Sequence, residues 1–266
     1  MIRQGVKSCL YVAAIYILCT ALLIPFQRSF IYPVQSADFN DCDLSGTGMR
    51  RVSFQGDRAL FTPGRSGRVI VFYHGNAETA CNWRHLGAGF GQLGDAVLVV
   101  EYPFYATGEQ VSGQSLSQER LYQTVDHVEQ WITDQGFNDT RVVGYSLGAA
   151  LASYHARAQQ VSLVVLYAPF DRLISVMWDR GIYVPPAVLW DKYDNIAQLQ
   201  QSRAKVIILH GGVDNVVSPK RSKALAQTLG DRLIRYDVDP ALDHNVMRGA
   251  VFQASVLDLL TYSTQD

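Results

Sequence analysis

From residue 51 onward the chain alternates short, uniformly apolar runs with longer amphipathic ones. Val69 to Tyr73, Val97 to Tyr102, Arg141 to Gly144, Leu163 to Tyr167 and Val206 to Leu209 are rich in Val, Ile and Leu. Runs this short, with no polar face, predict strands buried on both sides. Between them, Ala80 to Leu93, Ser117 to Gln135, Leu147 to Gln159 and Pro219 to Leu229 predict helices. Arg51 to Gln55 and Ala59 to Thr62, the latter closed by Pro63-Gly64, predict an antiparallel hairpin at a sheet edge. Leu233 to Tyr236 predicts a late strand, and Gly249 to Tyr262 a closing helix. Such alternation predicts an α/β fold, a mostly parallel central sheet flanked by helices. Ligands of these sheets lie at the carboxyl ends of the strands.

The N-terminus differs in kind. Arg3 and Lys7 precede an uncharged apolar run, Cys9 to Ile24, closed by Pro25. The run is short for a full span, where about 20 residues is usual, though Phe26 and the Ser8 side extend it. A membrane anchor, a cleaved signal peptide and a buried core helix compete. No small-x-small cleavage site follows, so the reading here is a single-pass anchor over residues 1–28, with a secreted protein as runner-up. Arg3 and Lys7, set against Arg28 followed by Asp38, Asp41 and Asp43, put the N-terminus in the cytoplasm and the body, residues 29–266, on the other side.

Composition narrows this picture modestly. With 266 residues, 48% hydrophobic and 18% charged, the chain is expected to bury one substantial core. A net charge of -1 argues against nucleic-acid binding. Four cysteines make no disulfide framework; Cys42 and Cys81 are free to pair in an oxidising compartment, but spacing alone does not place them side by side. No clustered Cys/His set implies a metal, and no organic cofactor is expected. Oligomeric state is left open.

Candidate chemistry centres on Val142 to Leu151, an apolar strand followed by Gly144-Tyr145-Ser146-Leu147-Gly148 and a small-residue helix start. A sharp strand-to-helix turn of this kind lifts a serine hydroxyl out of the sheet as a nucleophile. The Leu147 N–H then lies at a helix N-terminus, which favours negative charge. After the first long strand comes His74-Gly75-Asn76-Ala77-Glu78, whose Asn76 N–H is the candidate second donor for an oxyanion. An acid and a histidine must follow Ser146 in that order. Asp214 lies in a Gly-rich loop just past a strand end, with Asp171 as its rival; Asp237, Asp239 and Asp243 read as loop or capping residues. Of six histidines, His244 alone falls after the last strand and before the closing helix. His74 and His210 read as turn residues at strand ends; His85, His127 and His155 lie in helical stretches. The segment 171–201 carries Trp178, Tyr183 and Trp190, and is read as a short lid or acyl-binding wall, with helix-pair packing as the alternative.

These motifs, with Phe30-Ile31-Tyr32-Pro33 after the apolar run and Glu101-Tyr102-Pro103 after the second long strand, resemble the α/β-hydrolase superfamily. More narrowly, they resemble its membrane-anchored serine hydrolases, which include protein depalmitoylases and lysophospholipid lipases. Two departures stand out: Asp243 replaces the usual glycine before the histidine, and Pro103-Phe104-Tyr105-Ala106 replaces an Arg-Gly-Tyr-Gly loop. The resemblance implies a serine hydrolase acting on a small-molecule or lipid acyl substrate, an ester or thioester, through an acyl-enzyme. A serine peptidase and a non-catalytic, membrane-tethered binding protein of the same fold are the alternatives.

Overall fold

Every predicted strand of the body forms. The computed structural model describes residues 24–33, 39–91, 93–104 and 116–245, and in the N-terminal run residues 7, 11, 14–16 and 18. In order come a 3₁₀ turn (Ile24–Phe26), α1 (Gln27–Ile31), β1 (Arg50–Phe54), β2 (Asp57–Thr62), β3 (Arg68–Tyr73), α2 (Leu86–Gly91), β4 (Ala96–Glu101) and α3 (Gln118–Asp134). Then follow β5 (Asp139–Tyr145), α4 (Leu147–His155), β6 (Val161–Tyr167), α5 (Leu173–Asp179), α6 (Asn195–Gln200), β7 (Lys205–Gly211), α7 (Pro219–Ala226) and β8 (Leu233–Asp239).

The strands make one sheet in the order β1-β2-β4-β3-β5-β6-β7-β8. β1 and β2 are an antiparallel hairpin, and β2 pairs antiparallel with β4; from β4 to β8 every pairing is parallel. The hairpin turns at Gln55 and Gly56, both with positive φ, the primed geometry that matches strand twist. The order reverses around β3, which lies between β4 and β5. That reversal brings the loops after β3 and β5 side by side, with Tyr73 paired to Gly144. It is the switch point at which α/β sheets hold ligands.

Burial explains the apolar runs. All six residues of β4 are buried, as are the last five of β3 and the last six of β5. Leu121, Val125, Val128 and Ile132 face the sheet from α3 at helical spacing, and Ser117 caps that helix by accepting the Arg120 N–H at 3.1 Å. In α4, Leu147, Ala149, Ala150, Leu151 and Ala152 are all buried. Each large apolar side chain so buried contributes about 2 kcal/mol. The hairpin is tied to α3 by buried Asp57, which takes Arg120 and His127 at 2.6 and 2.7 Å.

The predicted helix over Ala80 to Leu93 is broken. A 3₁₀ turn, Ala80–Trp83, precedes α2. Gly87, Gly89 and Gly91 favour the helix poorly. The chain is also tied down, because Cys81 is disulfide-bonded to Cys42 and Gly87 packs against the Thr47 carbonyl and Met49. The helices predicted over 147–159 and 219–229 end earlier, at His155 and Ala226. Among the described residues no helix is long and apolar enough to cross a membrane. Most of the apolar run Cys9 to Ile24 lies outside the described residues, as does the predicted closing helix Gly249 to Tyr262. Helix α1 runs across residue 28, where the sequence divided anchor from body.

Candidate active site

Ser146 stands between β5 and α4 with φ 54° and ψ -114°, a conformation that costs a non-glycine residue about 1–3 kcal/mol. Its neighbours make the turn possible. A Cβ on Gly148 would lie 2.1 Å from the Tyr73 carbonyl oxygen, and one on Gly144 would lie 2.4 Å from that of Gly148. The Ser146 N–H is held by the Tyr167 carbonyl at 3.0 Å on the neighbouring strand. The strain is thus imposed by backbone packing from both sides, and it presents Oγ at the carboxyl edge of the sheet.

His244 Nε2 lies 3.1 Å from Ser146 Oγ, and His244 Nδ1 lies 2.6 Å from Asp214 Oδ2. All three residues are buried. They come from the ends of β5, β7 and β8, and the parallel pairing aligns those ends. Tyr145 donates its hydroxyl to the His244 carbonyl at 2.7 Å, so the residue before the serine also fixes the histidine backbone. Asp214 Oδ1 accepts the N–H groups of Val216 and Val217 at 2.8 and 2.9 Å. His210 Nε2 lies 3.2 Å from Asp214 Oδ2 and 2.9 Å from the Val217 carbonyl. Burial alone would raise the Asp214 pKa. Hydrogen bonds to His210 and His244, with the Val217 N–H, outweigh it and hold the carboxyl well below its ordinary range. Such an arrangement keeps a carboxylate ionised against an imidazole, which in turn addresses a hydroxyl. It can raise the nucleophilicity of Ser146 and accommodate a transient imidazolium.

Asn76 and Leu147 line the same cavity as Ser146. The loop bearing Asn76 is built around buried Glu78, which accepts the Gly75 N–H at 2.9 Å and the Trp83 indole N–H at 3.0 Å. Asn76 itself reaches back with Nδ2 to the Ile31 carbonyl at 2.7 Å, joining this loop to α1.

The cavity measures about 500 Å³, within the range of small-molecule sites. Segment 171–201 supplies Leu173, Val176, Met177, Ile182 and Val184, while Ile24, Gln27, Phe30 and Ile31 come from the N-terminal side. The three aromatic residues singled out in the sequence lie elsewhere. Trp178, Tyr183 and Trp190 are exposed and do not line the cavity. Trp178 donates to the Val184 carbonyl, and Trp190 lies under the Arg28 guanidinium at 5.2 Å. The cavity is therefore lined by aliphatic residues of segment 171–201 together with Phe30 and Phe170, while Trp178, Tyr183 and Trp190 lie outside it. Asp171, the rival acid, is engaged by Ser175 at 3.2 Å and by Arg221 at 3.6 Å. His127 pairs with Asp57, and His155 with the Tyr73 hydroxyl at 3.0 Å. Asp239 and Asp243 accept local N–H groups in turns, and Asp237 pairs with Arg235. Among the described residues no group of three His, Cys, Asp or Glu side chains is arranged to hold a metal ion.

Residues 102–239 match the family described as Serine hydrolase (FSH1), more than half of the chain. The chain belongs to the FSH1 serine hydrolase family. The matched stretch contains Ser146 and Asp214 and ends five residues before His244. An uncharacterized protein of Mycobacterium tuberculosis is 28% identical over 207 residues, 75% of this chain and 72% of that protein. In fold, this FSH1-family chain resembles the esterase Pf2001 of Pyrococcus furiosus, with a TM-score of 0.65 at 13% identity, covering 86% of this chain and 97% of the esterase. It likewise resembles a meta-cleavage product hydrolase of Pseudomonas fluorescens, with a TM-score of 0.60 at 16% identity, covering 79% and 97%. At these identities the likeness is one of fold, the α/β-hydrolase fold.

Proposed function

We propose that this serine hydrolase cleaves a carboxylic ester or thioester of an acyl or lipid-type substrate through an acyl-enzyme on Ser146. The observation that carries the reading is the hydrogen-bonded series Ser146–His244–Asp214 opening onto an apolar cavity. His244 takes the Ser146 proton at Nε2 as Oγ attacks the carbonyl carbon, and Asp214 steadies the resulting imidazolium through Nδ1. The N–H groups of Leu147 and Asn76 receive the developing oxyanion; each such donor is typically worth about 3 kcal/mol in the transition state. His244 then returns its proton to the leaving oxygen or sulfur. A water attacks the acyl-enzyme with His244 again as base, and the acid product departs.

An aliphatic wall grips an acyl chain by burial alone, at about 0.8 kcal/mol per methylene. In a series of p-nitrophenyl esters, kcat/KM is therefore expected to climb by about threefold to fourfold per methylene until the cavity is filled. Matched thioesters are expected to be cleaved and anilides poorly. Equal rates from acetyl to decanoyl would refute the acyl chamber, and anilides preferred over esters would point to a peptidase.

The same reading includes a single-pass tether through the N-terminal run, with the catalytic body on the non-cytoplasmic side. Three features support it. The run leads directly into Ile24 and α1, where Phe26 and Phe30 are exposed. Exposed Ile182, Tyr183 and Trp190 lie on segment 171–201. The Cys42–Cys81 disulfide suits an oxidising compartment. Protease added outside intact cells is expected to digest the body; digestion only from the cytoplasmic side would overturn this placement.

A further inference from the structure

Among the described residues lining the cavity that holds Ser146, Arg180 alone carries a charge. It follows the last turn of α5, where its Nη2 donates to the Val216 carbonyl at 2.9 Å and to that of Asn215 at 3.4 Å. Those carbonyls belong to the loop whose N–H groups hold Asp214. A guanidinium has five N–H donors in a planar fork, and two such bonds leave most of the fork unspent. The nearest acid in sequence, Asp179, is taken by Lys220 and Arg221. No ion pair to Arg180 occurs among the described residues. Among the described residues, a cation with no carboxylate partner is thus anchored by carbonyls at the exposed rim of an apolar chamber. A chamber for a plain hydrocarbon ester has no use for it, whereas a substrate bearing an oxyanion does.

We propose that Arg180 binds an oxyanion, phosphate or carboxylate, on the leaving group of the substrate, so that this hydrolase prefers anionic acyl esters or thioesters to neutral ones. The inference rests on the Ser146 reading above and adds the chemical class of the leaving group. The acyl chain occupies the wall of Val176, Met177 and Val184, with the scissile carbonyl at Ser146 and the anion on the fork of Arg180. Arg180 takes no proton in the reaction. The acyl–oxygen or acyl–sulfur bond breaks, the leaving group departs protonated by His244 with its anion intact, and water completes the acid.

Two matched pairs test this in the full-length protein. In the carboxylate arm, the octanoyl ester of 4-hydroxybenzoate is compared with that of its methyl ester; in the phosphate arm, 1-acylglycerol 3-phosphate is compared with 1-monoacylglycerol. The readout is the ratio of kcat/KM, anionic over neutral. In Arg180→Gln that ratio is expected to fall about tenfold, mainly through KM, in the arm whose anion fits; Arg180→Lys is expected to recover part of it. In the wild type, the same ratio is expected to drop as salt is raised, a measurement that needs no variant. An unchanged ratio in both arms, or equal loss on both members of each pair, overturns the inference and leaves Arg180 as a strap for the acid loop. Failure of the Ser146 reading looks different: neither member is turned over and Ser146 takes no fluorophosphonate label. Calorimetric binding of 1-acylglycerol 3-phosphate and of 1-monoacylglycerol to Ser146→Ala, with and without Arg180→Gln, then decides the anion site by itself. Preference for the phosphate that vanishes with Arg180 supports it, and equal binding sinks it.

Discussion

Ser146→Ala is expected to lower kcat by about 10⁶-fold and to abolish labelling by a fluorophosphonate probe, while the protein stays folded. The size of the effect follows from where the atom sits. In the proposed mechanism Oγ is the one partner that becomes covalent, and no other hydroxyl lies in hydrogen-bond range of His244 Nε2 among the described residues. Stability is expected to change by about 1 kcal/mol or less, because the variant loses one hydrogen bond at 3.1 Å and keeps the backbone turn. That turn is set by Gly144, Gly148 and the bond from the Ser146 N–H to Tyr167, none of which needs the hydroxyl. Turnover within tenfold of wild type, or a probe adduct that survives the substitution, would show that the nucleophile is elsewhere.

Asp214→Asn is expected to cost about 10⁴-fold in kcat. An amide presents a donor or a weaker acceptor where His244 needs a carboxylate, so the imidazole loses both its orientation and its counter-charge. Two histidines point at this carboxyl, and replacement therefore disturbs His210 as well as His244. A carboxyl whose folded pKa is depressed stabilises the fold fully above its ordinary pKa, and that stabilisation is lost as pH falls through the folded value. The variant is therefore expected to melt below the wild type at neutral pH, with the gap closing only in strong acid. Asp171→Asn is the control, since Asp171 is occupied by Ser175 and Arg221. If the Asp171 variant lost activity and the Asp214 variant kept it, the acid would have been assigned to the wrong strand.

Strands were legible because a strand buried on both faces has few polar positions to blur it; β3, β5, β6 and β7 each contain a predicted run, and the run Val97 to Tyr102 passes the end of β4 by one residue. The geometry of the nucleophile turn was legible for a related reason, as crowding of backbone against backbone leaves only glycine at positions 144 and 148. Asp214 and His244 were readable from chain order and strand ends. Contributions that depend on distant partners were not. His210 reads as a turn residue until the fold brings its ring onto Asp214 and the Val217 carbonyl. Tyr145 reads as the variable position of a motif, yet its hydroxyl holds the His244 backbone. The break after Trp83 has one local signal, the glycines at 87, 89 and 91, and two partners the local pattern does not show, the Cys42–Cys81 disulfide and the contact of Gly87 with Thr47 and Met49. In segment 171–201 the apolar character was visible but its sidedness was not: Leu173, Val176, Met177, Ile182 and Val184 line the cavity, and Trp178, Tyr183 and Trp190 do not.

Helix α1 makes one more point, about mechanics. Gln27 binds the Val188 carbonyl and accepts the Trp190 N–H, Arg28 pairs with Asp191, and the Ile31 carbonyl takes Asn76. Five residues thus join segment 171–201 on one side to the loop carrying Asn76 on the other. Substitution at Gln27 or Arg28 is therefore expected to loosen two walls of the cavity together rather than one.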